Sequence, residues 1–300
     1  MISLYYAPQG ERAMARAAYY LIHPERRTTS VVFASPHSGR EYPSSFLRRT
    51  ALDGLAVRSS EDAFVDQLFD SAPHAGAPFL KAGVPRAFVD LNRGADELDP
   101  ALIEGVSRQG HNPRVASGLG VIPRVVANGQ AIYAGKITLE EARARIDAYW
   151  RPYHAALRGE LDQAHRMFGQ AILIDCHSMP HEAMDAVCRR GLRRPEIVLG
   201  DRFGAAADAA IVDRIEGAFV AAGIVVARNA PFAGAYITQA YGRPGRGYHA
   251  VQIEIDRALY MNERLIRPNG NFEGLRRLLR GVIHEIAGIG RAEPLPLAAE

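Results

Sequence analysis

Lysine is almost absent from this chain. Of its 36 basic residues only Lys81 and Lys136 are lysines, and 33 acidic residues bring the net charge to +3. Arginines spread along the whole length leave no basic stripe for a nucleic-acid backbone, and they make any single arginine weak evidence for a site. Cysteine is scarce as well. Cys176 and Cys188 offer neither a disulfide framework nor a multi-thiolate metal motif. No apolar run approaches the roughly 20 residues needed to span a bilayer. The opening "MISLYYAPQGERAMARAAYY" lacks the basic start and continuous apolar stretch of a secretory signal. These absences point to a soluble, cytoplasmic protein that partners neither nucleic acid nor membrane, and they leave its oligomeric state open.

What is present suffices for a large core. Hydrophobic residues make up 48% of the 300, an ordinary share for a globular protein. Short strand-like runs recur at 31–36, 77–81, 86–91, 171–176, 196–200, 224–228 and 249–255. Several are nearly all apolar, as strands covered on both faces are. Helical spacing runs between them. Residues 61–70 place Val65, Leu68 and Phe69 on one side and acids at the start, where the helix dipole favours them. A longer helix starts at Thr138, a capping residue with Glu141 three positions on, and Pro152 is expected to kink or break it. Further helices are expected at about 205–222 and 271–288. Strands interleaved with helices mean an α/β fold, here a single domain over 1–300 with a mixed, mostly parallel sheet flanked by helices. Two stretches, 94–131 and 229–248, fit neither element, and long irregular loops in a compact domain are usually functional.

Two histidines end apolar runs: His37 in "VVFASPHSGREYP" and His177 in "AILIDCHSMP". In open α/β sheets ligands bind beyond the carboxyl ends of strands, where loops converge on a rigid base. Two imidazoles and one carboxylate make a zinc site with a position open to water. Glu41, Glu61 and Asp62 are the candidate acids, with Asp62 favoured. Asp175 shares a strand face with His177 and fits better as a residue that orients the imidazole. His23, His74, His111, His154, His165, His181 and His284 lie on predicted helices or polar loops and are expected to be structural. In "HAVQIEI" Val251, Ile253 and Ile255 alternate with Gln252 and Glu254. Either this is an exposed edge strand, or Glu254 faces a metal cleft and can carry a proton from water to a leaving nitrogen. In "VDLNRGADE" Asn92 and Arg93 offer an amide and a planar fork suited to a substrate carboxylate.

Taken in order, "SPHSGREYP", "SEDAFVDQLF", "VPRAFVDLNRGADELDP", "GLGVIPR", "RIDAYWRPYH", "LIDCHSMP", "VLGD" and "YGRPGRGYHAVQIEIDRALYM" resemble the N-formylglutamate amidohydrolase family from about residue 30 to 285. The resemblance implies a phosphorylase/hydrolase-like α/β fold, shared with zinc carboxypeptidases and aspartoacylase-type deacylases. It also implies one zinc ion on His37, His177 and an acid, Asn92-Arg93 as a carboxylate clamp, and Glu254 as general base. Arg86, with Arg243 or Arg246, is a candidate for a second carboxylate. The expected reaction is hydrolysis of N-formyl-L-glutamate to formate and L-glutamate. One departure stands out: carboxypeptidases carry the acidic ligand three residues after the first histidine, and here that position is Arg40, which brings Asp62 or Glu61 into consideration. A different N-acylated amino acid or a C-terminal peptide residue is the nearest alternative substrate. A non-catalytic carboxylate-binding protein on the same fold is the alternative of another class.

Overall fold

The computed structural model describes residues 17–107, 112–185, 188 and 193–291. The N-terminal residues 1–16 and His111 lie outside that range, and so does most of the opening stretch read for a signal. A seven-stranded sheet forms the centre, built from β1 (Tyr19–Ile22), β2 (Val31–Ser35), β3 (Phe79–Ala82), β4 (Ala171–Met179), β5 (Ile197–Gly200), β6 (Val226–Arg228) and β7 (Tyr248–Asp256). Their spatial order is β1-β3-β2-β4-β7-β5-β6. The pairs β3/β2, β2/β4, β4/β7 and β5/β6 are parallel, and β1/β3 and β7/β5 are antiparallel. The fold is thus single-domain α/β with a mixed, mostly parallel sheet.

Strand side chains alternate faces, so each apolar run feeds two cores at once. Val31 and Phe33 of β2, Ile172 and Ile174 of β4, and Val251, Ile253 and Ile255 of β7 pack into one core. Helices α1 (Ser44–Leu47) and α2 (Val65–Leu68) are single turns; α3 (Pro113–Ala116) and α4 (Leu139–Arg145) lie in and after the first long irregular stretch. The long helices are α5 (Arg151–Phe168), α6 (Ala209–Ala221) and α8 (Phe272–Ile289), with the short α7 (Tyr236–Tyr241) between the last two. Ile211, Ile215 and Phe219 of α6 and Leu275, Leu279 and Ile286 of α8 fill the first core. On the opposite face Val32, Ala34, Leu173 and Ala250 meet Tyr153, Leu157 and Leu161 of α5.

Several expectations are corrected. Residues 86–91 form turns rather than a strand: Phe88 and Val89 donate to the Pro85 carbonyl, and Asn92 N–H donates to Asp90 Oδ1 at 2.8 Å. An Asx turn of this kind competes with strand pairing, while Val89 and Leu91 are still fully buried. The helix expected over 61–70 shrinks to α2. Phe64 takes a left-handed conformation with φ 67°, which no helix can pass through. Ahead of it Asp62 N–H donates to the His37 carbonyl at 3.0 Å, and Arg257 Nη2 donates to the Glu61 carbonyl at 2.8 Å. Glu61 and Asp62 are therefore not acids of a helix first turn. Strand 249–255 is interior, between β4 and β5, so the edge-strand explanation of Gln252 and Glu254 is overturned. Thr138 caps α4 by accepting from Glu141 N–H at 3.1 Å. Pro152 does not break the segment. It lacks the N–H that would close on residue 148, and the chain absorbs this as a π-turn over Ile146–Trp150 before α5 continues.

Candidate active site

Along the face covered by α5, β4 presents Ala171, Leu173, Asp175 and His177, and β7 presents Ala250, Gln252 and Glu254. The apolar members lie toward the start of each strand and the polar ones toward the carboxyl end. Register puts Asp175 beside Gln252 and His177 beside Glu254. His37 follows the end of β2, the other neighbour of β4. Strand pairing alone thus brings the two histidines together, their rings 4.8 Å apart between centroids. Asp62 joins them through its backbone bond to His37. His37, Asp62 and His177 form one buried group of ligand-type side chains.

The geometry suits a small cation. Zinc in tetrahedral coordination sits about 2.0–2.2 Å from nitrogen and oxygen ligands, which places those ligands a little over 3 Å apart. His37 Nδ1 lies 3.4 Å and His177 Nδ1 2.9 Å from Asp62 Oδ2. His37 Nδ1 is buried with no hydrogen-bond partner, a costly state for an imidazole nitrogen that a bound cation would relieve. The far nitrogens are held by carboxylates, as metal-bound imidazoles usually are. His37 Nε2 meets Asp90 Oδ1 at 2.7 Å, and His177 Nε2 meets Asp175 Oδ2 at 3.0 Å. Asp62 Oδ1 is occupied separately by Arg257 Nη2 at 3.0 Å and Ser178 Oγ at 3.3 Å, so Oδ2 alone is turned to the imidazoles.

Electrostatics agree with this. Burial resists charge on His177, yet Asp175, Asp62 and Glu254 outweigh it and hold the imidazole well above its usual pKa. Burial likewise works against the Asp62 carboxylate, but contact with His177 and His37 keeps it well below the usual range. Several buried carboxylates thus converge where a positive charge is wanted. Glu254 behaves differently. Burial, with Asp62 adding to it, pushes its carboxyl up to about 7 against the pull of His177, Arg257 and Arg86. Gln252 Nε2 donates to its Oε1 at 2.8 Å.

The other acids considered are committed elsewhere. Glu61 pairs with Arg58 at 3.0 Å and accepts from Tyr42 Oη at 2.6 Å, and Glu41 accepts from Tyr20 Oη. Arg40 turns away to Asp66 at 3.2 Å. A cleft of about 530 Å³ opens above the cluster, lined among others by His37, Asp62, Asn92, Arg93, His177 and Glu254. Arg93 sends Nε to the Leu119 carbonyl at 3.0 Å and Nη1 to its neighbour Asn92's carbonyl at 2.8 Å. Asn92 Oδ1 accepts from Ile237 N–H at 2.8 Å, and its Nδ2 lies 3.1 Å from His177 Nε2. Arg86 also lines the cleft and donates to Asp90 Oδ2 at 3.0 Å. Arg243 and Arg246 do not line it; Arg243 Nη1 turns back onto the Gln239 and Gly242 carbonyls. Both irregular stretches build walls, through residues 114–129 and 231–235.

Asp90, Ser178 and Arg257 belong to this site and were not anticipated. Asp90 stands two residues before Asn92, and Arg257 three after Glu254, but nothing in linear order shows that they meet the imidazoles. Of the histidines set aside, His154 is buried and bonded to Tyr241 Oη and the Leu91 carbonyl, both at 2.9 Å. His181 pairs with Asp256 at 2.7 Å.

A mixed α/β sheet whose strand ends gather two imidazoles and a carboxylate under an arginine-lined cleft defines a hydrolase-type scaffold. The comparisons narrow this. Residues 29–261 match the model of the N-formylglutamate amidohydrolase family. The chain is 30% identical over 240 residues to N-formylglutamate deformylase of Pseudomonas putida, covering 78% of this chain and 82% of that one. With the Pseudomonas aeruginosa N-formylglutamate deformylase it shares 30% identity over 269 residues, covering 87% and 92%. The crystal structure of N-formylglutamate amidohydrolase from Ralstonia eutropha JMP134 superposes with a TM-score of 0.84 at 34% identity, over 91% of this chain and 98% of that one. The chain belongs to the N-formylglutamate amidohydrolase family.

Proposed function

We propose that this protein hydrolyses the amide bond of N-formyl-L-glutamate to formate and L-glutamate, using one zinc ion held by His37, Asp62 and His177. The observation that carries this is the convergence of those three side chains, from three separate segments, on one buried point beside Glu254 and the cleft arginines. A zinc ion held there would polarise the formyl carbonyl and ease ionisation of the attacking water.

The chain's own groups do the rest. Glu254, pushed up to about 7 by burial, is matched to both halves of a proton transfer near neutrality. It takes a proton from water as oxygen bonds to the formyl carbon. It returns that proton to the nitrogen as the carbon–nitrogen bond breaks, so that neutral amine rather than amide anion departs. Gln252 fixes which carboxyl oxygen is free for this, because its amide occupies Oε1. Arg93, with Nη2 left over from its two backbone bonds, holds the α-carboxylate next to the scissile bond, and Asn92 supports it from the same wall. Arg86 adds positive charge to that side of the cleft.

A second reading follows from size. About 530 Å³ leaves room beyond a formyl group, so another N-acylated amino acid is the alternative substrate. Formate release from N-formyl-L-glutamate, assayed beside N-acetyl and N-succinyl glutamate with chelator-treated and zinc-restored protein, tests both readings. The expected result is zinc-dependent formate release that exceeds cleavage of the larger acyl groups. Cleavage of none of them by zinc-loaded protein would overturn the proposal.

A further inference from the structure

The cleft is lined by four arginines, and three of them have partners. Arg257 holds Asp62 Oδ1 at 3.0 Å. Arg86 holds Asp90 Oδ2 at 3.0 Å. Arg93 bonds two backbone carbonyls and lies 4.0 Å from Asp90. Arg114 is the exception: among the described residues its guanidinium makes no hydrogen bond and no ion pair, although it lines the same cavity as the His37, Asp62 and His177 cluster.

An exposed arginine without such a partner is ordinary, but the backbone turn that carries this one is fixed. The Asn112 side chain accepts from Arg114 N–H at 3.0 Å and Val115 N–H at 3.3 Å, and its Nδ2 reaches Glu97 at 3.1 Å. Arg124 clamps the same turn, with Nη2 on the Ala116 carbonyl at 3.3 Å and Nε on Asp99 at 2.8 Å. The turn runs into Leu119, whose carbonyl receives Arg93. Arg114 and Arg93 are therefore tied to one wall, close enough for Arg114 to oppose the charge of Arg93. Asp90 compensates Arg93 in part, whereas Arg114 has no paired carboxylate among the described residues, so an anion entering the cleft is attracted by both.

We propose that Arg114 is the specificity-determining anchor for the substrate's side-chain carboxylate, while Arg93 takes the α-carboxylate. This deepens the reading above and rests on it for the identity of the substrate. The cleft then recognises a dicarboxylate: one anionic group beside the scissile bond, and a second held from the outer wall by residues of the irregular 94–131 stretch. A neutral side chain of equal shape leaves Arg114 uncompensated and loses that contact.

The test compares N-formyl-L-glutamate with N-formyl-L-glutamine, which differ only in charge at the side-chain end, and adds calorimetric binding of L-glutamate and L-glutamine to the zinc-loaded protein. Losing a partly exposed charge-assisted contact of about 2 kcal/mol corresponds to about 30-fold in kcat/KM. Arg114→Met should show about that loss on formylglutamate and little change on formylglutamine, with Arg114→Lys in between and an unchanged melting temperature. Arg93→Met should weaken both substrates alike. If Arg114→Met keeps the wild-type preference for glutamate over glutamine in turnover and in binding, the anchor is wrong although the deformylase reading stands. If wild type turns over neither substrate yet binds L-glutamate in an Arg114-dependent way, the anchor stands and the deformylase reading falls.

Discussion

Both imidazoles of the cluster are gripped at the nitrogen that faces away from it, His37 by Asp90 and His177 by Asp175. In the neutral rings that a cation requires, this grip would set the tautomer and leave Nδ1 as the lone-pair donor. Asp90 does more than orient, since Arg86 occupies its second oxygen and its backbone-bonded Oδ1 shapes the turn that carries Asn92. Asp90→Asn should therefore weaken zinc binding by about 10- to 100-fold, measured by competition with a chromophoric chelator. An unchanged affinity would remove Asp90 from the site. Glu254→Gln makes a contrasting case. It should abolish formate release while zinc stoichiometry stays at the wild-type level, because Glu254 is outside the ligand trio; retained turnover would exclude it as the proton carrier.

Among the elements, α5 with the π-turn before it fixes the part of the cleft wall that carries Asn92 and Arg93. Trp150 Nε1 donates to the Arg93 carbonyl at 2.9 Å, and His154, one turn on, bonds the Leu91 carbonyl at 2.9 Å. These two bonds hold the turn that presents Asn92 and Arg93. His154 must be neutral there: burial drives its pKa down from 6.5 to about 4. The unfolded chain therefore binds a proton that the folded chain refuses between about pH 6.5 and 4, so this contribution is complete above that window and fades as pH falls through it. Between pH 7 and 4.5 the loss is about 2.5 kcal/mol from this residue. Urea denaturation at the two pH values should show His154→Gln losing less stability on acidification than wild type; equal losses would contradict the assignment. The turn after β2 has a different constraint. A Cβ on Gly39 would fall 2.0 Å from the Val84 carbonyl oxygen, so Gly39→Ala must push the His37 turn off its neighbour and should lower the melting temperature and the zinc affinity together.

At the scale of the whole molecule, the cluster links the ends of β2 and β4 with the segment between β2 and β3, positions that only the folded sheet brings together. A cation bound there stabilises the folded state alone, by about 2.7 kcal/mol at a hundredfold excess over Kd. For a chain of this size that is a melting shift of about 4 °C, expected on adding zinc to chelator-treated protein and absent in His37→Ala. Much of this was legible in the linear sequence. Apolar runs ending in His37 and His177, and the alternation in β7 that sets Gln252 and Glu254 against Val251, Ile253 and Ile255, are local patterns, and strand periodicity translates them directly into faces. The 86–91 and 61–70 segments misled for the same reason in reverse: their apolar spacing records burial, which turns with side-chain-bonded backbones satisfy as well as strands or helices do. That Asp62 rather than Glu61 meets the imidazoles, that Asp90 and Arg257 brace them, and that Arg114 rather than Arg243 or Arg246 faces the cleft were decided by tertiary structure. These choices depend on contacts between residues up to 195 positions apart, and no local energy distinguishes one arginine or acid from its neighbour until the sheet has set them side by side.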